Sequence, residues 1–504
     1  MVGAGSAGCV IASRLSEDPT CKVGLLEAGG LPTDPDIADP LKWVSLQGRD
    51  YDWNYRTVPQ PFTANRVHAW PRGRILGGSS CINAMAHVRG HPRDFNAWAE
   101  AAGKNWSYDG LLPGFTRSED FSNAAQTGRG HGGPLPVYLP DAEIHPVVRA
   151  FMAAGLAMGA PLRGDHNGGE LAGVAANSLN IRHGCRVSAA DAYLPSSVLA
   201  RPNLTLLLRH EAEHLIFDGH RVTGVAAVHD ADTIHVMANR IVLCAGAIAT
   251  PLLLMRSGIG DPQVLATAGI ACRHSSPEIG RNLQDHLLAL GNVYAAAKAV
   301  PPSRLQHSES LMYLHSGDIA QTAGSPDIVV ACVAAPAVSE QFLAPAYGTA
   351  YTLLAGVTHP TSRGTIRPSG PGRNDPPVID PHYLETDYDR LSLRKAMKTA
   401  RMIGQHAELD HWRSHELLPG EPISSDADLD SFLARSASTH HHPAGTCRMG
   451  RDDGAVVDET LGVRGFDNLS AVDASVIPSL TSGPINAAVI AIAETWSSLS
   501  RRLL

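Results

Sequence analysis

The sequence predicts an α/β protein with a dinucleotide-binding domain and a second domain of mixed composition. A glycine-rich turn opens the chain and an acidic residue closes the next apolar run. Residues 290–430 mix glycine, proline and β-branched residues without nucleotide-binding signals. The length of 504 residues is enough for two to four domains with a large core. We therefore expect nucleotide binding near the amino terminus and substrate binding in the middle of the chain.

The first eight residues carry a dinucleotide fingerprint. Gly3, Gly5 and Gly8 follow the spacing G-x-G-x-x-G, and a later apolar run ends at Glu27. Gly3 permits a tight turn, Gly5 lets the backbone approach a pyrophosphate, and Gly8 lets the following helix pack closely. Glu27 would accept hydrogen bonds from ribose hydroxyls. The alternative interpretation of the motif is an ordinary glycine turn.

The segment before the fingerprint is short. Only Met1 and Val2 precede Gly3, whereas the motif usually follows a strand of about five or six residues. We therefore expect the native protein to begin a few residues before this sequence, and the short first strand puts cofactor retention in question.

Three consecutive histidines precede Pro443 near the carboxyl terminus. Because a residue before proline is pushed out of the α region, the segment is expected to be extended. His440 and His442 would then share one face, about 6–7 Å apart, with His441 opposite. Two imidazoles on one wall suit a general base and a neighbour that binds substrate. A metal-binding tract or an exposed histidine run are the alternatives, and a metal site would need a further ligand.

Residues 210–214 match the H-E-x-x-H pattern of zinc proteases. Zinc ligation by His210 and His214 needs a helix, but the surrounding residues read as a strand that ends in the turn Asp218-Gly219. On a strand the two histidines would lie about 13 Å apart. We predict no metal site.

The last apolar segment predicts a buried helix. Pro484 suits its first position, Ser482 or Gly483 its cap, and Arg501 and Arg502 its carboxyl end. Its amino terminus would present partial positive charge to an anion.

Composition excludes several classes of protein. A net charge of −8 argues against nucleic-acid binding, and no apolar run approaches the roughly 18 residues of a membrane span. The eight cysteines are scattered without a C-x-x-C pair, and the start lacks a signal-peptide pattern. We expect a cytoplasmic protein with reduced thiols and no membrane partner.

Several longer motifs agree with one known family. Besides the fingerprint and Glu27, they are residues 73–83, residues 246–260, the sequence GRNLQDH at 280–286, residues 442–446 and Asp473-Ala474. With this combination over essentially its whole length, the chain resembles the glucose-methanol-choline (GMC) flavoprotein oxidoreductases.

The resemblance implies a Rossmann-like FAD-binding domain, discontinuous in sequence, and an α+β substrate-binding domain built on an antiparallel sheet. The first would comprise residues 1–145, 185–290 and 430–504, and the second residues 146–184 and 291–429. The implied cofactor-binding residues are Gly3, Gly5, Ser6, Ala7, Gly8, Glu27, Ala28, Ser79, Asn83, Ala84, Met85, Ala86, Ala212, Ala245, Asp473, Ala474 and Asn486. FAD would be bound non-covalently, because Ile82 stands where some members carry a flavin-linking histidine.

The same resemblance implies a mechanism. His442 matches the family's active-site base, which takes the hydroxyl proton of an alcohol while the carbinol carbon passes a hydride to FAD. Pro484 stands at the second catalytic position, usually His or Asn, and His440 would supply the missing contact. Oxygen is the expected acceptor, with hydrogen peroxide as product, and the chain is expected to be a monomer that binds no nucleic acid.

The resemblance also implies a class of substrate. Residues 440–443, Pro484, residues 301–310 and residues 357–364 resemble members that oxidise the hydroxymethyl group of a pyridine alcohol. The alternatives are an oxidase of other aromatic or furanic primary alcohols, a dehydrogenase with a non-oxygen acceptor, and a non-redox flavoprotein or nucleotide-binding protein.

Overall fold

A computed structural model describes residues 1–123, 128–317, 324–420, 422–423 and 425–500. Its largest buried apolar cluster runs from Val2 to Trp496, so the two ends of the chain share one core. Among the helices of the described residues, none has both the length and the hydropathy of a membrane span. The α-helices there span Ser6–Leu15, Pro92–Ala102, Tyr108–Ser118, Pro146–Ala157, Ala189–Tyr193, Ser196–Leu199, Gly246–Arg256, Pro262–Thr267, Asp387–Gly404, Asp426–Ser436 and Asn486–Ser500.

A parallel sheet forms the nucleotide-binding half. Val2 makes parallel bridges to Leu26 on one side and to Leu243 on the other, so it joins the two halves of the sheet. Its strands are apolar because a parallel sheet is covered on both faces. In spatial order the sheet comprises Leu204–Leu208, Val23–Glu27, the single residue Val2, Ile241–Leu243 and Leu469–Ala471.

A larger antiparallel sheet forms the other half. The helices Asp387–Gly404 and Pro146–Ala157 pack against it. The predicted α/β class with a second domain on an antiparallel sheet is confirmed, while the domain boundaries at residues 145, 184, 290 and 429 stay a prediction. In order the strands are Arg413–Leu418, Leu287–Ala296, Ala350–Val357, Ile328–Val333, Ser310–Leu314 and Gly173–Ala176, with Ala437–Thr439 also paired to Leu287–Ala296.

A three-stranded ribbon lies beside the parallel sheet. It consists of His210–Asp218, Arg221–His229 and Asp232–Met237. Gly219, at φ +57, makes the turn between the first two strands, which confirms the predicted turn at Asp218-Gly219. The remaining strand pairs are Tyr55–Arg56 with Ala69–Trp70, Glu119–Phe121 with Leu135–Val137, Ile181–Arg182 with Cys185–Arg186, Ile259–Gly260 with His274–Ser275, and Thr365–Arg367 with Val378–Asp380.

The last helix begins later than predicted. It starts at Asn486, so Pro484 precedes the helix instead of occupying its first turn. Asp94 explains the difference, because its carboxylate accepts both the backbone N–H of Ser482 at 2.6 Å and the Ser482 hydroxyl at 3.0 Å. These bonds hold the segment in a loop. Arg501 and Arg502 lie outside the described residues.

A buried carboxylate fastens the last helix to its neighbours. Glu494 is fully buried and accepts hydrogen bonds from Arg14 Nε at 3.0 Å, Arg117 Nε at 2.6 Å and the Tyr193 hydroxyl at 2.9 Å. A buried charge is tolerated when it is paired and hydrogen-bonded in this way. The arrangement fixes the first and last helices side by side.

Candidate active site

A cavity of about 1620 Å³ lies where the carboxyl ends of the parallel strands approach the antiparallel sheet. Ligands of α/β proteins are usually held at this edge of the sheet. Every predicted site residue except Gly8 lines it, so the structure brings together residues from distant parts of the chain. They are Gly3, Gly5, Ser6, Ala7, Glu27, Ala28, Ser79, Asn83, Ala84, Met85, Ala86, Ala212, Ala245, His440, His442, Asp473, Ala474, Pro484 and Asn486.

The fingerprint glycines have different surroundings. A Cβ on Gly8 would lie 1.9 Å from the Gly3 carbonyl oxygen, so Gly8 serves close packing of the first helix. A Cβ on Gly5 would have no atom within 4 Å, and Gly5 lines the cavity at the amino end of helix Ser6–Leu15. A helix amino terminus with open space before it fits a pyrophosphate.

Glu27 closes the strand Val23–Glu27 at the cavity wall. Its carboxylate is only 6% exposed and accepts the backbone N–H groups of Ala4 at 2.9 Å and Gly29 at 2.8 Å. Burial raises the pKa of Glu27 to about 7. An acidic acceptor at this position fits the ribose hydroxyls of an adenine dinucleotide.

Asp473 follows the strand Leu469–Ala471 and reaches the cavity from the opposite side. Its carboxylate accepts the N–H of Gly246 at 2.8 Å, the hydroxyl of Thr250 at 2.6 Å and the N–H of Ser475 at 2.8 Å. These bonds hold the carboxylate still, while burial raises its pKa. The carboxylate of Asp473 is therefore held in a fixed position where the residue lines the cavity.

The glycine-serine loop lies against the fingerprint. A Cβ on Gly78 would come within 2.7 Å of the Gly5 Cα, so a glycine is needed at position 78 where the two turns meet. Asn83 Oδ1 accepts the N–H of Met85 at 3.0 Å and a bond from Arg186 at 2.9 Å. The loop is thereby held along the cavity wall, where its backbone can contact a long cofactor.

The histidine segment departs from the predicted extended conformation. His441 has φ +65, and the rings of His440 and His442 lie with centroids 4.6 Å apart on the cavity wall. Three bonds stabilise this turn: the N–H of His441 donates to Thr439 Oγ1 at 2.8 Å, Arg72 donates to the His441 carbonyl at 2.8 Å, and the N–H of His442 donates to Asp285. The predicted pairing of the two imidazoles is present, but a left-handed turn produces it.

Asp285 is a site residue that carried no predicted role. Its carboxylate accepts the backbone N–H of His442 at 2.7 Å and the hydroxyls of Thr439 and Tyr383. Burial raises its pKa to about 6. The only sequence signal was its place in the GRNLQDH motif. Asp285 positions the backbone of His442 from the antiparallel side of the cavity.

His286, the next residue, was also missed. Its Nδ1 lies 2.8 Å from His442 Nδ1, and its Nε2 lies 2.8 Å from the carbonyl oxygen of Thr358. Burial lowers the pKa of His286 to about 4 and that of His440 to about 3, and burial with His440 nearby lowers the pKa of His442. The three imidazoles are therefore neutral at neutral pH, and a neutral imidazole can accept a proton.

The H-E-x-x-H stretch lies on the strand His210–Asp218, as predicted. His210 Nδ1 bonds the Leu208 carbonyl at 2.6 Å, and its ring stacks on His229 with centroids 4.2 Å apart. In the part of the chain that the structure describes, no group of three or more His, Cys, Asp or Glu is placed to hold a metal ion. The helical geometry of a zinc protease is not formed here.

An apolar row of the antiparallel sheet forms the wall of the cavity on the substrate-binding side. Leu311 pairs with Ala331, and Ala331 pairs with Leu354, on three neighbouring strands. All three line the cavity. This row, which we call the apolar wall, lies in the same cavity as the imidazoles and suits an aromatic or aliphatic ligand.

Comparison with known proteins agrees with this geometry. The family model for the amino-terminal region of GMC oxidoreductases matches residues 1–288, and the family model for their carboxyl-terminal region matches residues 360–493. A pyridoxine 4-oxidase of Microbacterium luteolum is 52% identical over 499 residues, which cover 99% of this chain and 98% of that protein. The mitochondrial choline dehydrogenase of Mus musculus is 36% identical over 530 residues, covering 98% of this chain and 87% of that protein.

Solved structures show the same relationship. The crystal structure of pyridoxine 4-oxidase from Mesorbium loti has a TM-score of 0.97 with this chain at 54% identity, and covers 99% of this chain and 98% of that one. The fold, the composition of the cavity and the matched sequence therefore agree, and the chain belongs to the GMC oxidoreductase family.

Proposed function

We propose that this chain is an FAD-dependent oxidase that converts the hydroxymethyl group of pyridoxine to the aldehyde of pyridoxal. One pyridoxine and one O2 would give one pyridoxal and one H2O2. The observation that carries the proposal is the match to pyridoxine 4-oxidases over nearly the whole length of both chains. The paired imidazoles of His440 and His442 at the cavity support it, because alcohol oxidation needs a base.

We propose non-covalent FAD as the cofactor. The amino terminus of helix Ser6–Leu15 would hold its pyrophosphate, Glu27 its ribose, and Asp473 its ribityl chain. Ile82 lines the cavity and has no side-chain atom that could form a bond to a flavin. The cofactor, when bound, supplies a hydride acceptor for the carbinol carbon and passes two electrons on to O2.

The protein residues would manage the substrate and its proton. His442 takes the proton of the reacting hydroxyl, and its backbone is held for this by Asp285. The neighbouring His440 ring holds the substrate hydroxyl in place. Pro484 adds no hydrogen-bonding group, and it shapes the cavity just before helix Asn486–Ser500, whose amino terminus stabilises negative charge.

An anaerobic absorption titration tests the proposal. Pyridoxine is added to the purified holoenzyme in the absence of oxygen, and the flavin band is followed before air is admitted. One equivalent of pyridoxine should bleach the band, and air should restore it with one equivalent of peroxide. A flavin that pyridoxine leaves oxidised would remove the substrate assignment.

A panel of alcohols separates the remaining functions. A higher kcat/KM for benzyl or furanic alcohols than for pyridoxine would favour a general aromatic alcohol oxidase. The chain is also 35% identical to a protein named alcohol dehydrogenase [acceptor], from Pseudomonas putida, over 530 residues. Bleaching by pyridoxine without peroxide on aeration would therefore favour a dehydrogenase with another electron acceptor.

We also propose that the enzyme acts as a cytoplasmic monomer. The scattered cysteines support a reducing compartment. Light scattering of the purified holoenzyme should give a mass near that of one 53.3 kDa chain. A mass of two chains would contradict the monomer.

A further inference from the structure

The contact between His286 and His442 decides which nitrogen of His442 carries a proton. The two rings meet through their Nδ1 atoms, 2.8 Å apart. A neutral imidazole has one N–H donor and one bare nitrogen acceptor, so a hydrogen bond of this length needs a proton on one Nδ1 and none on the other. Two bare nitrogens would repel each other, and two N–H groups would clash.

Thr358 settles the state of the His286 ring. The Thr358 carbonyl oxygen lies 2.8 Å from His286 Nε2, and a carbonyl can only accept. His286 Nε2 must therefore carry the proton. Because His286 is 3% exposed and its burial disfavours the charged ring, the other nitrogen, Nδ1, is bare.

The proton in the contact between the rings must then belong to His442. His442 Nδ1 donates to His286 Nδ1, which leaves His442 Nε2 bare. We propose that His286 is a positioning residue, which fixes the proton of His442 on Nδ1 and so leaves Nε2 to accept the hydroxyl proton of the substrate. The inference rests on the proposed function in that His442 is the base.

The surroundings of His286 are suited to this role. Its backbone carbonyl accepts the N–H of His440 at 2.8 Å, so the same residue also holds the neighbouring imidazole. The preceding residue, Asp285, accepts the backbone N–H of His442. Two successive residues therefore fix His442. Asp285 holds the backbone N–H of His442, and His286 holds its ring. A histidine whose tautomer is fixed by a second group is a common feature of catalytic sites.

Nitrogen NMR tests the tautomer without any turnover. The holoenzyme is labelled with histidine that carries ¹⁵N at Nδ1 only, and the His442 signal is identified as the one lost in His442→Gln. In the wild type we expect the His442 Nδ1 signal at the chemical shift of a protonated nitrogen. In His286→Leu we expect a larger fraction of molecules to give the chemical shift of a bare nitrogen. A bare Nδ1 on His442 in the wild type would overturn the proposal.

Kinetics of three variants supply a second readout. His286→Leu keeps the bulk but removes the acceptor, so the limiting rate of flavin reduction by pyridoxine should fall at least about 100-fold. This loss should not be recovered at high pH, because a tautomer is not a protonation state, and substrate Kd should change less than about threefold. His286→Asn retains an acceptor oxygen, so its limiting rate of flavin reduction should be at least about tenfold higher than that of His286→Leu.

His166→Leu is the matched control. His166 is buried and its Nε2 also bonds a backbone carbonyl, that of Leu311 at 3.0 Å, but it does not contact His442. Its loss should leave the limiting rate unchanged within about threefold. If His286→Leu and His286→Asn were equally slow, or if high pH restored the rate, the positioning role would be wrong. Failure of pyridoxine to reduce the flavin would affect the proposed function alone, since the NMR readout needs no substrate.

Discussion

The hydroxyl of Ser6 donates a hydrogen bond of 2.7 Å to Oδ1 of Asn486, across 480 residues of sequence. Ser6 begins the first helix and Asn486 begins the last. Unpaired N–H groups gather at the amino terminus of a helix, so the bond places two regions of partial positive charge beside the same cavity. An anionic ligand such as FAD is expected to be bound by both.

Alanine at two fingerprint glycines should separate packing from binding. Gly8→Ala forces a Cβ to within 1.9 Å of the Gly3 carbonyl oxygen, so denaturant unfolding should show a loss of about 1–3 kcal/mol or more. Gly5→Ala has open space and an ordinary φ of −78, so the fold should be retained while the Kd for FAD rises about tenfold. Equal loss of stability in the two variants would contradict the assignment.

FAD affinity should depend on pH through Glu27. Burial raises the pKa of this carboxyl to about 7 in the free protein, and ribose hydroxyls bind best to the ionised form. FAD binding therefore favours the ionised form, and the Kd should rise as the pH falls from about 8 to 6, by at most about tenfold per unit. Fluorescence titration of the cofactor-free protein measures this. Glu27→Gln should bind more weakly and without that slope, and a slope equal to that of the wild type would exclude Glu27 as its source.

Removal of the base should slow the chemical step. His442→Gln keeps a polar side chain but cannot hold the hydroxyl proton, so anaerobic stopped-flow should show flavin reduction at least about 100-fold slower. FAD content and the circular dichroism spectrum should match the wild type. Near-normal reduction in this variant would reject His442 as the base.

His440 should act mainly on substrate binding. Its ring lies beside that of His442 on the cavity wall, and its low pKa, caused by burial, makes it a neutral hydrogen-bonding group. His440→Ala should raise the Kd for pyridoxine about tenfold and lower the limiting rate of flavin reduction less than His442→Gln does. His440→Gln, with a polar group of similar reach, should recover part of the affinity. An unchanged Kd in His440→Ala would contradict this role.

Signals that are local in sequence predicted their parts of the fold well. The fingerprint turn and the hairpin at Gly219 were predictable because a few residues with special backbone requirements determine them. The turn at His441 was not. A positive φ is uncommon for histidine, and here it depends on bonds from Arg72 and to Asp285, which lie far away in the sequence.

The candidate site shows the same limit. The cavity-lining residues that lie in the fingerprint turn or in a family motif could be named from the sequence. The contacts of His286 with His442 and Thr358 could not, because they join positions 156 and 72 residues apart and depend on how the two sheets pack. Histidine spacing alone predicts a pair of imidazoles, and only the folded chain adds the third.

The apolar wall has a consequence for redesign of the enzyme. Leu311, Ala331 and Leu354 line up across three adjacent strands, whereas the histidines are held by Asp285 and Thr358. Side-chain size in the row can therefore be varied while the bonds to the histidines are kept. A library of variants limited to these three positions would enlarge or narrow the range of accepted alcohols. Each substitution would change the shape of the cavity and leave the histidines that act on the alcohol in place.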